Sequence, residues 1–371
     1  MKIVFFLWDF GQAGAEIVVL HLSNYLSEKG HEVRILTINS KDQLSERLNT
    51  EVRLTTFNKK RIIASLIPLI RFMRTENIDC FVANVWPITV VSVIANFFCP
   101  GFRQKLFLIE HIDLGEESKQ EQRSKLFKFF QRLSISFLYN RVHKVISVSN
   151  GVGEDLIRKG LRREKAKVIY NPAYPNLAED KVHYEEGKKK WFKPDCLKIS
   201  AVGHPHQQKN YPNLINAIDI LKNRKKINCQ VIIAGERQGP EYKKIETLIH
   251  QKKLTNEITL VGYIPNPLSL IEESDLFVLS SSYEGFGMVI VEALSLGKTV
   301  VSTDCPSGPS EIIGDNEFGY LCRVDNPSDL AEKIEYAKEN NIDPEKLINR
   351  SKEFSLDKIG PLYEAILDTS N

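Results

Sequence analysis

Short runs of apolar, β-branched-rich residues alternate along this chain with longer amphipathic stretches, the pattern of a parallel sheet covered by helices on both faces. In the first half the expected strands are KIVFFLW, EVRILTI, DCFVAN, KLFLIEH and KVISVS, separated by helical stretches such as Ala15 to Lys29. Their apolar character is continuous rather than alternating, so each expects cover on both sides. Near Asn171-Pro172 the rhythm stops, and a polar stretch from Pro175 to Asp195 containing EEGKKK intervenes. The second half restarts with LKISAVG and continues through CQVIIAG, EITLVGY, DLFVLSS and KTVVST. The expected class is α/β, with two Rossmann-like domains at 1–174 and 175–350. A C-terminal helix at 351–371 is expected to pack back on the first domain, and the whole stretch from Asp343 to Ser370 reads as helical.

Composition narrows the partners. The 371 residues suffice for two cores, and 50 basic against 47 acidic residues leave a formal charge of +3, which argues against a dedicated nucleic-acid binder. Six cysteines are scattered without a CxxC pair, so a zinc knuckle or redox dithiol is not indicated. The opening MKIVFFLWDF breaks at Asp9 without a small-residue cleavage site, and no apolar run reaches the ~18 residues of a membrane span, so a cytoplasmic protein is expected.

In open parallel sheets ligands bind beyond the carboxyl ends of the strands, which singles out the residues just after each run. After the first strand, Asp9 to Glu16, with Gly11 and Gly14, form a glycine turn opening a helix, where free amides and the dipole favour an anion, or else simply a tight cap. His111 closes KLFLIEH at the same rim; such a histidine is commonly structural, yet its position makes it a candidate. Arg237 and Ile264 stand in turns after CQVIIAG and EITLVGY that can present backbone to a flat heterocycle. Lys209, just ahead of a helix expected near Tyr211, opposes the macrodipole unless an anion compensates it; the bland alternative is a solvated loop lysine.

The densest signal is Ser280-Ser-Ser-Tyr-Glu284-Gly-Phe-Gly-Met-Val-Ile-Val-Glu292. Gly285 and Gly287 free the backbone to approach a ligand, and a helix starts beside them. Glu284 and Glu292 are spaced to take hydroxyls from different parts of one polyol, with Glu292 expected about two turns deeper than Glu284. The plain alternative makes Glu284 a first-turn dipole residue and Glu292 a solvated one, although its MVIVEAL context fits solvation poorly.

The order of these pieces resembles glycosyltransferase family 4, bacterial surface-polysaccharide type. These are retaining enzymes with two Rossmann-like domains facing each other across a cleft, the arrangement called GT-B. The likeness rests on Glu284-Gly-Phe-Gly-Met-Val-Ile-Val-Glu292, similar to the family's Glu-x7-Glu motif, followed by Gly297-Lys-Thr-Val-Val and Ser307-Gly-Pro-Ser-Glu311. GQAGAEIVVLHLSNYLSEKGHEV, Tyr170-Asn171-Pro172 and Gln208-Lys209-Asn210 extend it along most of the chain.

The resemblance implies a hexosyltransferase using a nucleotide sugar, by family habit UDP-linked. Glu292 would hold ribose hydroxyls, and Glu284 with the backbone of Gly285, Phe286 and Gly287, continuing into Met288 and Val289, would hold the donor sugar. Lys209 would neutralise the diphosphate, Gly14 would admit it, and His111 would face the reacting sugar. Where the family commonly carries Gly-Arg-Leu, with the arginine on the diphosphate, this chain has Gly203-His204-Pro205. A histidine lacks the guanidinium fork, so weaker diphosphate binding through His204, or help from Arg237, is expected. No Asp-x-Asp motif follows a strand, so metal-independent transfer without any cofactor is expected. Two alternatives share the fold: a sugar-nucleotide epimerase or phosphorylase-type enzyme, and a non-catalytic nucleotide-sugar binder.

From Gln122 to Lys144, Arg123, Lys125, Lys128, Arg132, Arg141 and Lys144 interleave with Leu126, Phe127, Phe129, Phe130, Leu133, Phe137 and Leu138 without one acid. Lys59, Lys60, Arg61, Arg71 and Arg74 flank another apolar stretch. Such a basic amphipathic helix can lie on an anionic membrane surface, which would suit a glycan or lipid-linked acceptor and peripheral attachment to the inner face of the cell membrane. The alternative is a helix whose aromatics are core.

Overall fold

The computed structural model describes residues 1–99, 106–173, 191–264 and 266–368. Most of the expected polar stretch from Pro175 to Asp195 lies outside the described residues. The chain divides into two compact units: Met1–Ser118 with Gln122–Pro172 and Leu356–Asn371, and Lys119–Glu121 with Ala173–Ser355.

The first unit carries a parallel seven-stranded sheet in the order β3-β2-β1-β4-β5-β6-β7. Its strands are β1 (Lys2–Leu7), β2 (Glu32–Thr37), β3 (Arg53–Thr56), β4 (Cys80–Asn84), β5 (Leu106–Glu110), β6 (Lys144–Ser147) and β7 (Ala166–Val168). Ile3, Val4, Phe5 and Phe6 of β1 are fully buried, as a strand covered on both faces requires. The helix Gly14–Glu28 turns Val18, Val19, Leu22 and Leu26 inward at helical spacing. The C-terminal helix Leu356–Leu367 lies against it, with Gly360 set against the Tyr25 ring; a Cβ at Gly360 would come within 2.8 Å of that ring. Tyr25 and His31 both reach Glu364.

The second unit is a parallel six-stranded sheet, β10-β9-β8-β11-β12-β13. These are β8 (Leu197–Val202), β9 (Cys229–Ala234), β10 (Ile258–Gly262), β11 (Leu276–Leu279), β12 (Thr299–Thr303) and β13 (Tyr320–Cys322). Counted within the unit, the order is 3-2-1-4-5-6, the doubly wound Rossmann arrangement. Leu214, Ile215, Ile218 and Leu221 of the helix Tyr211–Asn223 pack with Val231, Ile233, Leu276 and Val278 into its core. The C-terminal stretch expected as continuous helix is two helices, Pro344–Lys352 and Leu356–Leu367. The backbone of Glu353, Phe354 and Ser355 closes onto carbonyls three residues back, which ends the first helix in a turn.

Each sheet reverses its winding at one point, between β1 and β4 in the first unit and between β8 and β11 in the second. Loops leave such a point in opposite directions and open a crevice at the strands' carboxyl ends.

Candidate active site

In the second unit the crevice between β8 and β11 joins residues 75 positions apart. After β8 the chain makes a short turn, Gln207–Lys209, and enters the helix Tyr211–Asn223 through Asn210, whose φ of 46° is tolerated best by asparagine among non-glycine residues. After β11, Ser280 to Gly287 form the loop ahead of the helix Met288–Ser295. The two loops are tied together. Ser282 N donates to Gln208 O at 2.8 Å, Ser280 Oγ to Lys209 O at 2.8 Å, and Gln208 Nε2 to Tyr283 O at 3.0 Å.

That scaffold sets Lys209 Nζ 2.7 Å from Glu284 Oε1. Ser281 Oγ donates to the same oxygen at 2.7 Å, and Gln208 Nε2 reaches Oε2 at 3.4 Å. The side chains of Lys209 and Glu284 are 19% and 8% exposed, which excludes the solvated-lysine alternative. The anion expected near this lysine is Glu284 itself. Its stem lies on Gly203, where a Cβ would stand 2.9 Å from Lys209 Cε, so the glycine is what admits the lysine to the crevice. Tyr211 OH donates to Gly203 O at 2.8 Å and holds that turn.

Glu284 is not in the helix's first turn. Gly287, with φ of 96°, begins the helix at Met288, so only the last five of the nine residues from Glu284 to Glu292 are helical. Glu292 therefore stands about one turn into the helix, not two turns beyond Glu284. It is half-buried, as its apolar context suggested. Met288 and Val289 are half-buried in the first turn, whose amides no side chain caps. Phe286 turns its ring inward, 5.3 Å from the Phe354 ring, and Arg350 covers Phe354 while donating to the carbonyls of Glu311 and Ile312. Behind Phe286 sits Gly308: a Cβ there would meet Phe286 O at 2.2 Å. Ser281, Gln208 and Gly308 thus join the site; the serine cluster ending DLFVLSS pointed to the first, and Gln208-Lys209-Asn210 and Ser307-Gly-Pro-Ser-Glu311 contained the other two without giving either a role.

His204 is exposed on the turn after β8. Arg237 is exposed and commits Nη2 to Leu260 O at 2.7 Å, and Ile264 packs beside Phe192 and Leu270 at the ends of β9 and β10. Neither stands in the Lys209–Glu284 hydrogen-bond network.

In the first unit, Gly14 opens the helix Gly14–Glu28 and is exposed, with no side-chain cap ahead of it. Glu16 in that first turn has its carboxyl pushed up to about 7 by burial. His111 follows β5, and Nε2 lies 3.1 Å from Asn84 Oδ1. Burial lowers its imidazole pKa to about 4, so the ring is neutral at ordinary pH. Glu110, fully buried beside it in sequence, accepts from Trp86 N at 3.1 Å, Thr89 Oγ1 at 3.0 Å and Tyr139 OH. Burial nevertheless raises its pKa to about 7, outweighing those donors.

The helix Lys125–Phe137 resolves the question its aromatics posed. Gln131 and Ile135 are its buried residues, and Phe127 packs on Trp86, while Phe129, Phe130, Leu133 and Phe137 are 60%, 57%, 46% and 57% exposed. They are surface, interleaved with exposed Lys125, Lys128 and Arg132. Among the described residues no helix is long and apolar enough to cross a membrane.

Two Rossmann-like units, and an acid ahead of a glycine-bracketed phenylalanine paired to a lysine at one switch point, define a GT-B glycosyltransferase architecture. The chain matches Glycosyltransferase Family 4 over residues 13–176 and Glycosyl transferases group 1 over residues 184–354, and with both units matched it belongs to the family 4 glycosyltransferases. It is 26% identical over 358 residues to the Campylobacter jejuni N-acetylgalactosamine-N,N'-diacetylbacillosaminyl-diphospho-undecaprenol 4-alpha-N-acetylgalactosaminyltransferase, covering 92% of this chain and 91% of that protein. Among solved structures, Anabaena HepE in complex with UDP and glucose superposes with a TM-score of 0.77 at 20% identity, all of both chains being covered. Sucrose-phosphate synthase from Thermosynechococcus elongatus gives 0.80 at 17% identity, again over all of both chains. The fold is that of these enzymes, and the chain is a glycosyltransferase.

Proposed function

We propose that this enzyme moves a hexosyl group from a UDP-sugar to a hydroxyl of a lipid-diphosphate-linked glycan in surface-polysaccharide assembly, with retention and without a metal ion. The observation that carries the donor half is the buried Lys209–Glu284 pair beside the uncapped helix Met288–Ser295. UDP in the Anabaena structure and the diphospho-undecaprenol acceptor in the Campylobacter enzyme's name support the choice of substrates.

On donor binding, Lys209 would turn from Glu284 to the diphosphate, and Glu284 would exchange the ammonium for sugar hydroxyls. The amides at Gly285 to Val289 would face the donor, Glu292 would take ribose hydroxyls, and His204 or Arg237 would add a donor to phosphate. As the anomeric C–O bond breaks, its electron pair passes to the phosphate oxygen, where Lys209 and the helix N-terminus stabilise it. The acceptor oxygen bonds the same face of the anomeric carbon and its proton passes to that phosphate oxygen. This positive potential takes the place of a metal ion.

Anionic-membrane contact through the helix Lys125–Phe137 fits the same reading, because exposed aromatics interleaved with cations suit the headgroup boundary and a lipid-borne acceptor lies there. The test is turnover of a UDP-sugar panel with a membrane lipid extract, in buffer with and without a chelator, with the product anomer assigned by NMR. Retained configuration and chelator-insensitive turnover are expected. An inverted product or loss of activity on chelation would overturn the corresponding part.

A further inference from the structure

Asn84 closes β4 at the switch point of the first unit and has no exposed surface. Its Nδ2 donates to Phe6 O on β1 at 3.4 Å and to Val82 O at 3.3 Å, while Oδ1 lies 3.1 Å from His111 Nε2. Turning the amide over would aim its oxygen at two carbonyl oxygens, so those strand carbonyls decide which end of the amide meets the ring. With an acceptor facing it, Nε2 must carry the ring proton. A neutral imidazole has one such proton, and Nδ1 is then a bare acceptor. In this structure that nitrogen is buried and has no partner. Buried polar atoms without partners are few in native proteins, and this one stands after β5, beside the crevice where a parallel sheet takes its ligand.

We propose that Asn84 is a positioning residue that holds His111 in the Nε2–H tautomer and so presents Nδ1 as a fixed acceptor for a substrate hydroxyl. A free imidazole can offer either a donor or an acceptor at a given nitrogen. Locked by the amide, it accepts a hydroxyl hydrogen and repels a carbonyl or ether oxygen, so the amide gives an ambivalent ring one polarity. The proposal rests on the glycosyl-transfer reading for its ligand, since both the transferred sugar and the acceptor glycan bring hydroxyls.

The tautomer itself can be measured without turnover. In protein labelled with 15N-histidine, the His111 signals are assigned by their loss in His111→Gln. The expected spectrum shows Nε2 protonated and Nδ1 unprotonated in the free enzyme. Adding UDP-glucose shifts Nδ1 if the hydroxyl belongs to the sugar, UDP alone leaving it in place; a shift only on adding a membrane lipid extract assigns it to the acceptor. In Asn84→Leu the two tautomers mix and kcat/KM falls about tenfold, the equivalent of one hydrogen bond. A wild-type Nδ1–H tautomer, or Nδ1 unmoved by either addition, overturns the proposal. So does a normally melting Asn84→Leu that keeps the wild-type tautomer and kcat/KM. If Asn84→Leu does not fold, the wild-type tautomer and its response to UDP-glucose and the extract decide.

Discussion

Removing the charge of Lys209 should weaken both the fold and the donor site, by amounts a double-mutant cycle with Glu284 separates. At 2.7 Å the pair's Coulomb attraction is about 6 kcal/mol for an effective dielectric of ~20. Both side chains are largely withdrawn from water, and desolvation returns most of that gain. A coupling of about 2 kcal/mol between Lys209→Met and Glu284→Gln follows. Lys209→Met alone should cost no more than about 3 kcal/mol, because Ser281 Oγ and Gln208 Nε2 still reach the carboxylate. Urea unfolding of the four proteins measures the coupling. Repeating it at saturating UDP tests the mechanism: an ammonium drawn to the diphosphate no longer serves Glu284, so the coupling should fall by more than half. A coupling under about 0.5 kcal/mol would refute the pair's energetic role, and one unchanged by UDP would refute its exchange of partners. In turnover, each single variant should lose about 10² to 10³ in kcat/KM.

Gly308→Ala should cost about 1–3 kcal/mol, since φ there is 89° and the new Cβ meets the Phe286 backbone at 2.2 Å; melting temperature and the KM for the donor should both report it, and wild-type values would show that the loop yields freely. Glu110, with its folded pKa raised to about 7, favours the folded state fully below its ordinary value near 4.5, and that contribution is lost as pH rises through about 7. Glu110→Gln should therefore flatten the decline of stability across that window; an undiminished slope in urea unfolding at stepped pH would remove Glu110 as its source. Replacing Phe129 and Phe130 by Ser should leave the circular dichroism spectrum intact, because both rings are exposed, while reducing sedimentation with anionic vesicles; equal sedimentation would discard this helix as an anchor.

The α/β class was legible because KIVFFL, CQVIIA and TVVST carry their burial in their composition. The short strands β3 (RLTT), β7 (AKV) and β13 (YLC) were not, since three or four residues lined up by a neighbouring strand need no apolar run of their own. Glu284, ahead of the glycine-bracketed Phe286, and Lys209 were each legible as candidates, but their pairing was not, because what joins them is the adjacency of β8 and β11 in the sheet. Asn84 passed as an ordinary strand-ending residue; only the carbonyls of Phe6 and Val82 give its amide a direction. For the helix Lys125–Phe137 the sequence left core and surface open, because its spacing is compatible with either, and exposure of the aromatics settled it.

The central claim is that the sugar of a UDP-sugar passes to a lipid-borne acceptor. It is tested most directly by incubating the enzyme with a radiolabelled UDP-sugar panel and a membrane lipid extract, following UDP release and labelled lipid together. The account predicts that for one donor the two rise in step and that both vanish in Glu284→Gln. Binding of a UDP-sugar without release, or release with no label entering lipid, would contradict it.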